Sequence, residues 1–150
     1  GRSGNRGQCA QPCRLPYRTV GRTANEYPLS LKDLSLAQHV PTLCTSGIAS
    51  LKIEGRMKSP EYVYTVTRIW RTLLDEERSA TADEMEQLAQ AFSRGGFTDG
   101  YFTGRIGRSM LGVRSEQDKQ DGRALSPFRG LAKRYRWTCT SHYSLTLRQR

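Results

Sequence analysis

The feature that most constrains the fold is an apolar stretch at residues 48–53 that is followed directly by a well-capped helical pattern. The stretch is β-branched enough to predict a buried strand. Ser59 is a favourable N-cap and Pro60 suits the first helical position, after which apolar residues recur at helical spacing. We therefore expect a helix over residues 60–77 and, with the strand before it, one β/α unit.

A second unit of the same kind is expected upstream. Residues 27–32 read as a short strand ending near Ser30, and Ser30 or Asp33 can cap a helix over about residues 33–38. Two consecutive units fit the end of a parallel α/β sheet or barrel. In such folds the residues just after each strand lie at the rim that carries the site.

The segments on either side of these units are less regular. Thr81 to Glu84 form a capping box that predicts a helix over residues 82–94, ended by two glycines. Residues 97–114, rich in glycine and aromatic residues, suggest turns and short strands, and residues 15–28 suggest a short strand or two. The predicted fold class is α/β, a fragment of a TIM-barrel-like domain followed by helix and irregular segments.

The charge of the chain is strongly positive and uneven. The net charge is +10, and residues 117–150 alone hold eight basic and two acidic residues, while the first 25 residues hold no acid. A basic balance favours phosphate-bearing partners such as RNA, although solvated surface is an equally simple explanation. Because periodicity fails after about residue 117, we expect a basic tail over 117–150 that is disordered or read out of frame.

Four cysteines are too few for a disulfide scaffold in 150 residues, so a reducing, cytoplasmic setting is expected. Cys9 and Cys13 could bind one metal or cluster from a tight turn, with basic neighbours offsetting its charge. Two thiolates do not complete a site, since zinc and iron–sulfur sites need about four ligands. Cys44 is a doubtful third ligand, and free or structural thiols remain the alternative.

The expected rim gathers four candidate catalytic residues. Glu54 could act as a base, a metal ligand or an ion-pair partner of Arg56, whose guanidinium could clamp a carboxylate or phosphate. Lys32 and Asp33 follow the other strand and could complete the rim. The alternatives are a salt-bridged turn at residues 54–56 and a simple helix cap at Asp33.

Several common activities are not supported. No G-x-S-x-G elbow, P-loop or HExxH pattern occurs, and His39 and His142 are isolated, which is typical of surface histidines. No stretch approaches the roughly 20 apolar residues that a membrane helix needs. The chain also opens at Gly1, so we expect it to be an internal or processed piece whose N-terminal partner segment is missing.

Three motifs in order closely resemble peptidase family U32, the collagenase-like peptidases. The resemblance covers about residues 1–116, which we take as a partial U32 domain, and it is carried by RSGNRGQCAQPCR at 2–14, YPLSLKDL at 27–34 and SLKIEGRMKS at 50–59. It implies a TIM-barrel-type fold of which this chain holds the last β/α units. It also implies an enzyme, with hydrolase activity on collagen-like polypeptides as the leading interpretation.

The same resemblance implies two alternatives. Some members of the family resemble RNA-hydroxylation factors that bind an iron–sulfur cluster through four cysteines, and Cys9 and Cys13 match two of those positions. RNA would then be the partner and the cluster a cofactor of the full-length protein. The remaining interpretation is an incomplete piece with no activity of its own.

Overall fold

The computed structural model describes residues 2–18, 20–21, 26–55, 58–124 and 144–148. Its regular elements, in chain order, are β1 (Asp33–Leu34), α1 (Val40–Thr45), β2 (Ser50–Glu54), α2 (Pro60–Asp75), α3 (Ala82–Ala91), β3 (Phe97–Thr98), α4 (Gly100–Thr103), α5 (Glu116–Ala124) and β4 (Ser144–Arg148). Single 3-10 turns lie at Gly4–Arg6, Pro12–Arg14, Ala37–His39 and Arg108–Met110.

The two main helices, α2 and α3, confirm the predictions for residues 60–77 and 82–94, with each helix ending two or three residues earlier than expected. The Ser59 hydroxyl accepts from the backbone N–H of Tyr62 at 3.3 Å. The capping box is complete, because Thr81 and Glu84 each accept from the other's backbone N–H. Local capping thus fixes where both helices begin.

The core lies where α2 packs against α3, α1 and the strand β2. Leu73 and Val40 are fully buried, and burial of each such side chain contributes about 1.5–3 kcal/mol. The other buried members of the cluster are Ala37, Ile53, Val66, Ile69, Leu74, Ala80, Leu88 and Ala91. This core holds the start of α2 and the end of α3 in fixed positions, and the candidate site is built on those two ends.

The strands form two small sheets. β1 pairs in parallel with β3, with Asp33 opposite Phe97, and β2 pairs antiparallel with β4. The mixed α/β character is therefore confirmed, and β2 matches the strand expected over residues 48–53. The TIM-barrel fragment stays a prediction, since in the described part of the chain β1 and β2 have different partners.

The helix expected over residues 33–38 is wrong. Asp33 and Leu34 are extended and pair with β3, and the helical segment begins later, with a 3-10 turn from Ala37 and α1 from Val40. The pairing partner lies more than 60 residues away, so no local pattern could reveal it. The strand expected within 27–32 is reduced to a bridge between Leu31 and Leu111.

The segments outside the two units are short and irregular, as expected. Between residues 15 and 28 a bridge joins Tyr17 and Glu26, and 97–114 contains one two-residue strand and single helical turns. In the expected tail, α5 and β4 are described, and the division at residue 116 stays a prediction. No helix in the described ranges is long and apolar enough to cross a membrane.

Candidate functional site

Three basic side chains surround the ring of Phe92, the residue that caps the carboxyl end of α3. The Lys58 Nζ lies 2.7 Å from the ring centroid, and the Cζ atoms of Arg94 and Arg114 lie 4.6 and 4.5 Å from it. Cations are attracted to an aromatic face by its quadrupole. We call Lys58, Phe92, Arg94 and Arg114 the cationic cluster.

Lys58 is the member whose charge is most strongly affected. Burial of its side chain is the largest cause that lowers its pKa from 10.5 to about 7. The negative charge of Asp33 opposes this shift, whereas the positive charges of the nearby arginines, Arg94 and Arg114 above all, add to it. The ammonium of Lys58 is therefore only partly populated near neutral pH.

Asp33 is the carboxylate that faces the cationic cluster. Its Oδ1 accepts a short hydrogen bond from Arg94 Nη1, and both side chains are about four-fifths covered. Its second oxygen, Oδ2, is buried and has no hydrogen-bond partner among the described residues. The site therefore contains one paired carboxylate oxygen and one that has no hydrogen-bond donor among the described residues.

A set of hydrogen bonds made by the Arg14 and Ser30 side chains links the N-terminal loop to this site. Arg14 donates to the Ser30 hydroxyl at 3.1 Å and to the Leu31 carbonyl at 2.7 Å. The Ser30 hydroxyl, which is almost fully buried, donates to the carbonyl of Gly112 at 2.7 Å, and the Gly112 N–H returns a bond to the Ser30 carbonyl. The residue after Cys13 is thus anchored to residues 30 and 31, just before β1 begins at Asp33.

The four predicted rim residues are placed differently from one another. Asp33 belongs to the site, and Glu54, exposed at the end of β2, is close enough to contribute to the raised pKa of Tyr62. Burial is the larger cause of that shift, followed by Asp33. Lys32 is partly buried, with its side chain beside Gly112, and Arg56 lies outside the described residues.

The paired cysteines lie in the loop that leads to Arg14. Cys9, Cys13 and Cys44 are free thiols, and Cys9 Sγ accepts from the backbone N–H of Gln11 at 3.3 Å. Over the described residues, no three His, Cys, Asp or Glu side chains are grouped as metal ligands would be. Cys44 packs instead against the hydrophobic core. Two thiols alone do not fit an iron–sulfur cluster, which needs about four.

The sequence did not point to Lys58, Phe92, Arg94 or Arg114 as site residues. Phe92 fits the pattern of one more apolar residue of the α3 stripe, yet its side chain is only partly buried and packs edge-on to Tyr62 with the centroids 6.2 Å apart. The sequence does indicate where these residues lie relative to the predicted helices. Lys58 precedes the N-cap of α2 and Arg94 follows the end of α3, so both lie where a site on helix ends would be built.

Comparison with known proteins gives two kinds of named relative. Collagenase of Porphyromonas gingivalis strain W83 is 39% identical over 116 residues, which cover 69% of this chain and 28% of that protein. The 23S rRNA 5-hydroxycytidine C2501 synthase of Escherichia coli K12 is 40% identical over 107 residues, 68% of this chain and 16% of the relative. The tRNA hydroxylation protein P1 of Bacillus subtilis is 42% identical over 85 residues, covering 49% and 20%.

The chain thus spans less than a third of the length of these relatives. No solved structure is detectably similar to it. The sequence profile of peptidase family U32 matches residues 1–111, which include the cysteine loop, β1, β2 and the cationic cluster up to Arg94. The family expected from the three motifs is therefore confirmed: this chain belongs to peptidase family U32.

Proposed function

We propose that this chain is the RNA-holding part of a U32-type RNA-hydroxylation protein. The observation that carries the proposal is the cationic cluster, in which three positive groups converge on one aromatic ring with Asp33 as the facing carboxylate. Surplus positive charge beside an aromatic face suits a polyanion with stacking bases. The relatives named for rRNA and tRNA hydroxylation support the same conclusion.

The position of the cysteine loop also supports this function. Arg14 connects the loop that carries Cys9 and Cys13 to Ser30 and Leu31, just before the strand that begins at Asp33. Hydroxylation of a base replaces C–H by C–OH, a two-electron oxidation, so it requires an oxygen-donating oxidant as co-reactant. We propose Cys9 and Cys13 as two thiolate ligands of a larger set, and the cationic cluster as the part that holds the RNA.

The direct test is made in the source organism. Deletion of the gene is expected to remove one or more hydroxylated nucleosides from digests of total RNA, as measured by mass spectrometry. Wild-type protein should restore them, and so should the control Arg68→Gln, which removes one positive charge from the exposed side of α2. An unchanged nucleoside profile after deletion would overturn the proposed function.

The iron–sulfur proposal has its own test in the full-length protein. Cys9→Ser and Cys13→Ser are each expected to lower the iron content of anaerobically purified protein and its absorbance near 400 nm. Cys44→Ser, which changes a thiol packed against the core, is the matched control and should keep the iron. Iron content that is equal in all three variants would contradict ligation by Cys9 and Cys13.

The peptidase interpretation remains a second candidate because of Lys58. A lysine with a pKa of about 7 is a competent general base at neutral pH, and the relatives named collagenase share this part of the sequence. Gelatin incubated with the full-length protein under metal-free, reduced conditions should then be cleaved. The substitution Glu54→Gln should reduce the rate of cleavage by a larger factor than its effect on the free energy of unfolding can explain. Absence of cleavage would contradict the peptidase interpretation and leave the RNA-hydroxylation role. If gene deletion also leaves the RNA nucleosides unchanged, the remaining interpretation is a piece with no activity of its own.

A further inference from the structure

We infer that Lys58, Arg94 and Arg114 form a binding site for one phosphodiester group of an RNA strand, at the ring of Phe92. This inference rests on the proposed function, and it specifies which chemical group of the RNA is held and by which side chains.

The charge balance leaves a place for an anion. Asp33 is the acidic group that influences Lys58, against the positive charges of Arg94, Arg114 and Arg14. Asp33 is already paired with Arg94 through one oxygen. Two further carboxylates lie near this region: Asp118, which accepts from Ser93 and Ser115, and Glu54, which acts on Tyr62. Among the described residues, Arg94 forms the ion pair of the cationic cluster with Asp33, and neither Lys58 nor Arg114 forms an ion pair.

The donors of the site are only partly used. Arg114 has a buried Nε with no acceptor in the described structure, and its Nη2 makes one long bond of 3.3 Å to the Asp118 carbonyl. The Lys58 ammonium lies over the rings of Phe92 and Tyr62, at 2.7 and 5.3 Å from their centroids. Guanidinium and ammonium donors of this kind suit a phosphate, which offers several acceptor oxygens.

The protonation of Lys58 gives the site a distinctive pH dependence. The groups that face it are Asp33, Tyr62 and the three arginines Arg14, Arg94 and Arg114. An added negative charge raises the pKa of a lysine, so binding of a phosphodiester takes up a proton whenever the free site is neutral at Lys58. Since its pKa in the free protein is about 7, affinity for RNA should fall as the pH rises above 7. The phosphodiester itself does not titrate in this range.

The test measures binding of a short fluorescein-labelled oligoribonucleotide to the full chain by fluorescence anisotropy. Lys58→Met and Arg114→Gln are each expected to weaken binding roughly tenfold or more at pH 6.5, since each removes a charge-assisted contact. The exposed Arg68→Gln, with the same change of net charge, should bind as wild type does. Equal weakening by all three variants, or by none, would overturn the inference.

A fourth variant keeps the inference falsifiable if Lys58→Met folds poorly. Lys58→Arg retains a cation that stays charged at every working pH, so it should bind RNA equally well at pH 6.5 and 8.5, whereas wild type weakens severalfold. A parallel loss in wild type and Lys58→Arg would overturn the role of Lys58. Inorganic phosphate should compete only at far higher concentration than unlabelled RNA, and equally effective competition would identify a free-phosphate site instead.

The two proposals fail in different ways. If hydroxylated nucleosides disappear on gene deletion but return with Lys58→Met and Arg114→Gln, the phosphate site is wrong and the proposed function stands. If those variants lose RNA binding in vitro while deletion leaves the nucleosides unchanged, the site stands and the hydroxylation role is wrong.

Discussion

Burial of the Lys58 side chain lowers its pKa from 10.5, the value in the unfolded chain, to about 7 in the folded chain. The free energy of unfolding therefore depends on pH, and the direction of that dependence can be stated. Between these values the unfolded chain binds the proton that the folded chain releases, so the free energy of unfolding should rise with pH above 7. Lys58→Met should lack this rise. The measurement is urea unfolding of both proteins between about pH 6 and 9.5, below the raised pKa of Tyr62, which acts in the opposite direction.

Parallel pH profiles for the two proteins would show that Lys58 is not held in its uncharged form by the fold.

The same residue shows why the site could be predicted only partly from the sequence. A lysine two residues before a helical proline is usually solvated, and only the approach of Phe92 and Arg94 from the far end of α3 desolvates it. Asp33 is a site candidate from the sequence because it follows a predicted strand, but in the structure it begins β1 and pairs with Phe97.

At the scale of elements, the segment that leads into β1 depends on a close approach of Gly112 that only a glycine permits. A Cβ on Gly112 would overlap the carbonyl oxygen of Arg94 and the side chain of Lys32. Gly112→Ala should therefore lower the free energy of unfolding by about 1–3 kcal/mol and weaken RNA binding by displacing Arg94. Gly107→Ala is the control, since this glycine is extended (φ 171°) and has open space around it.

Equal stability of the two alanine variants would mean that the segment after Met110 does not pack against residues 30–32 as described. The elements differ in how far the sequence determines them. Helices α2 and α3 were predictable because Ser59, Pro60 and Thr81 act within one turn of the helix they begin. β1 was mistaken for a helix because its partner, β3, is distant in sequence and neither strand has a pattern of its own.

At the scale of the whole molecule, two stretches of the sequence contribute positive charge that RNA could respond to. Residues 117–150 contribute a net +6 of the total +10, whereas the cationic cluster lies in the part of the chain that the family profile matches, apart from Arg114. Non-specific attraction to RNA follows the total charge, and binding at a built site follows the side chains that touch phosphate. Salt dependence separates these two contributions.

Each phosphate contact releases counterions, so log K for single-stranded RNA should fall with log salt by about 0.7 for each contact. Arg114→Gln should make this slope less steep by about 0.7, because one contact is lost. Arg68→Gln removes the same charge from the exposed side of α2 and should leave the slope unchanged. Anisotropy titrations between about 50 and 300 mM salt at pH 6.5 measure both slopes. If Arg68→Gln changes the slope as much as Arg114→Gln does, RNA is attracted by the charge of the whole surface and not by the ring of Phe92.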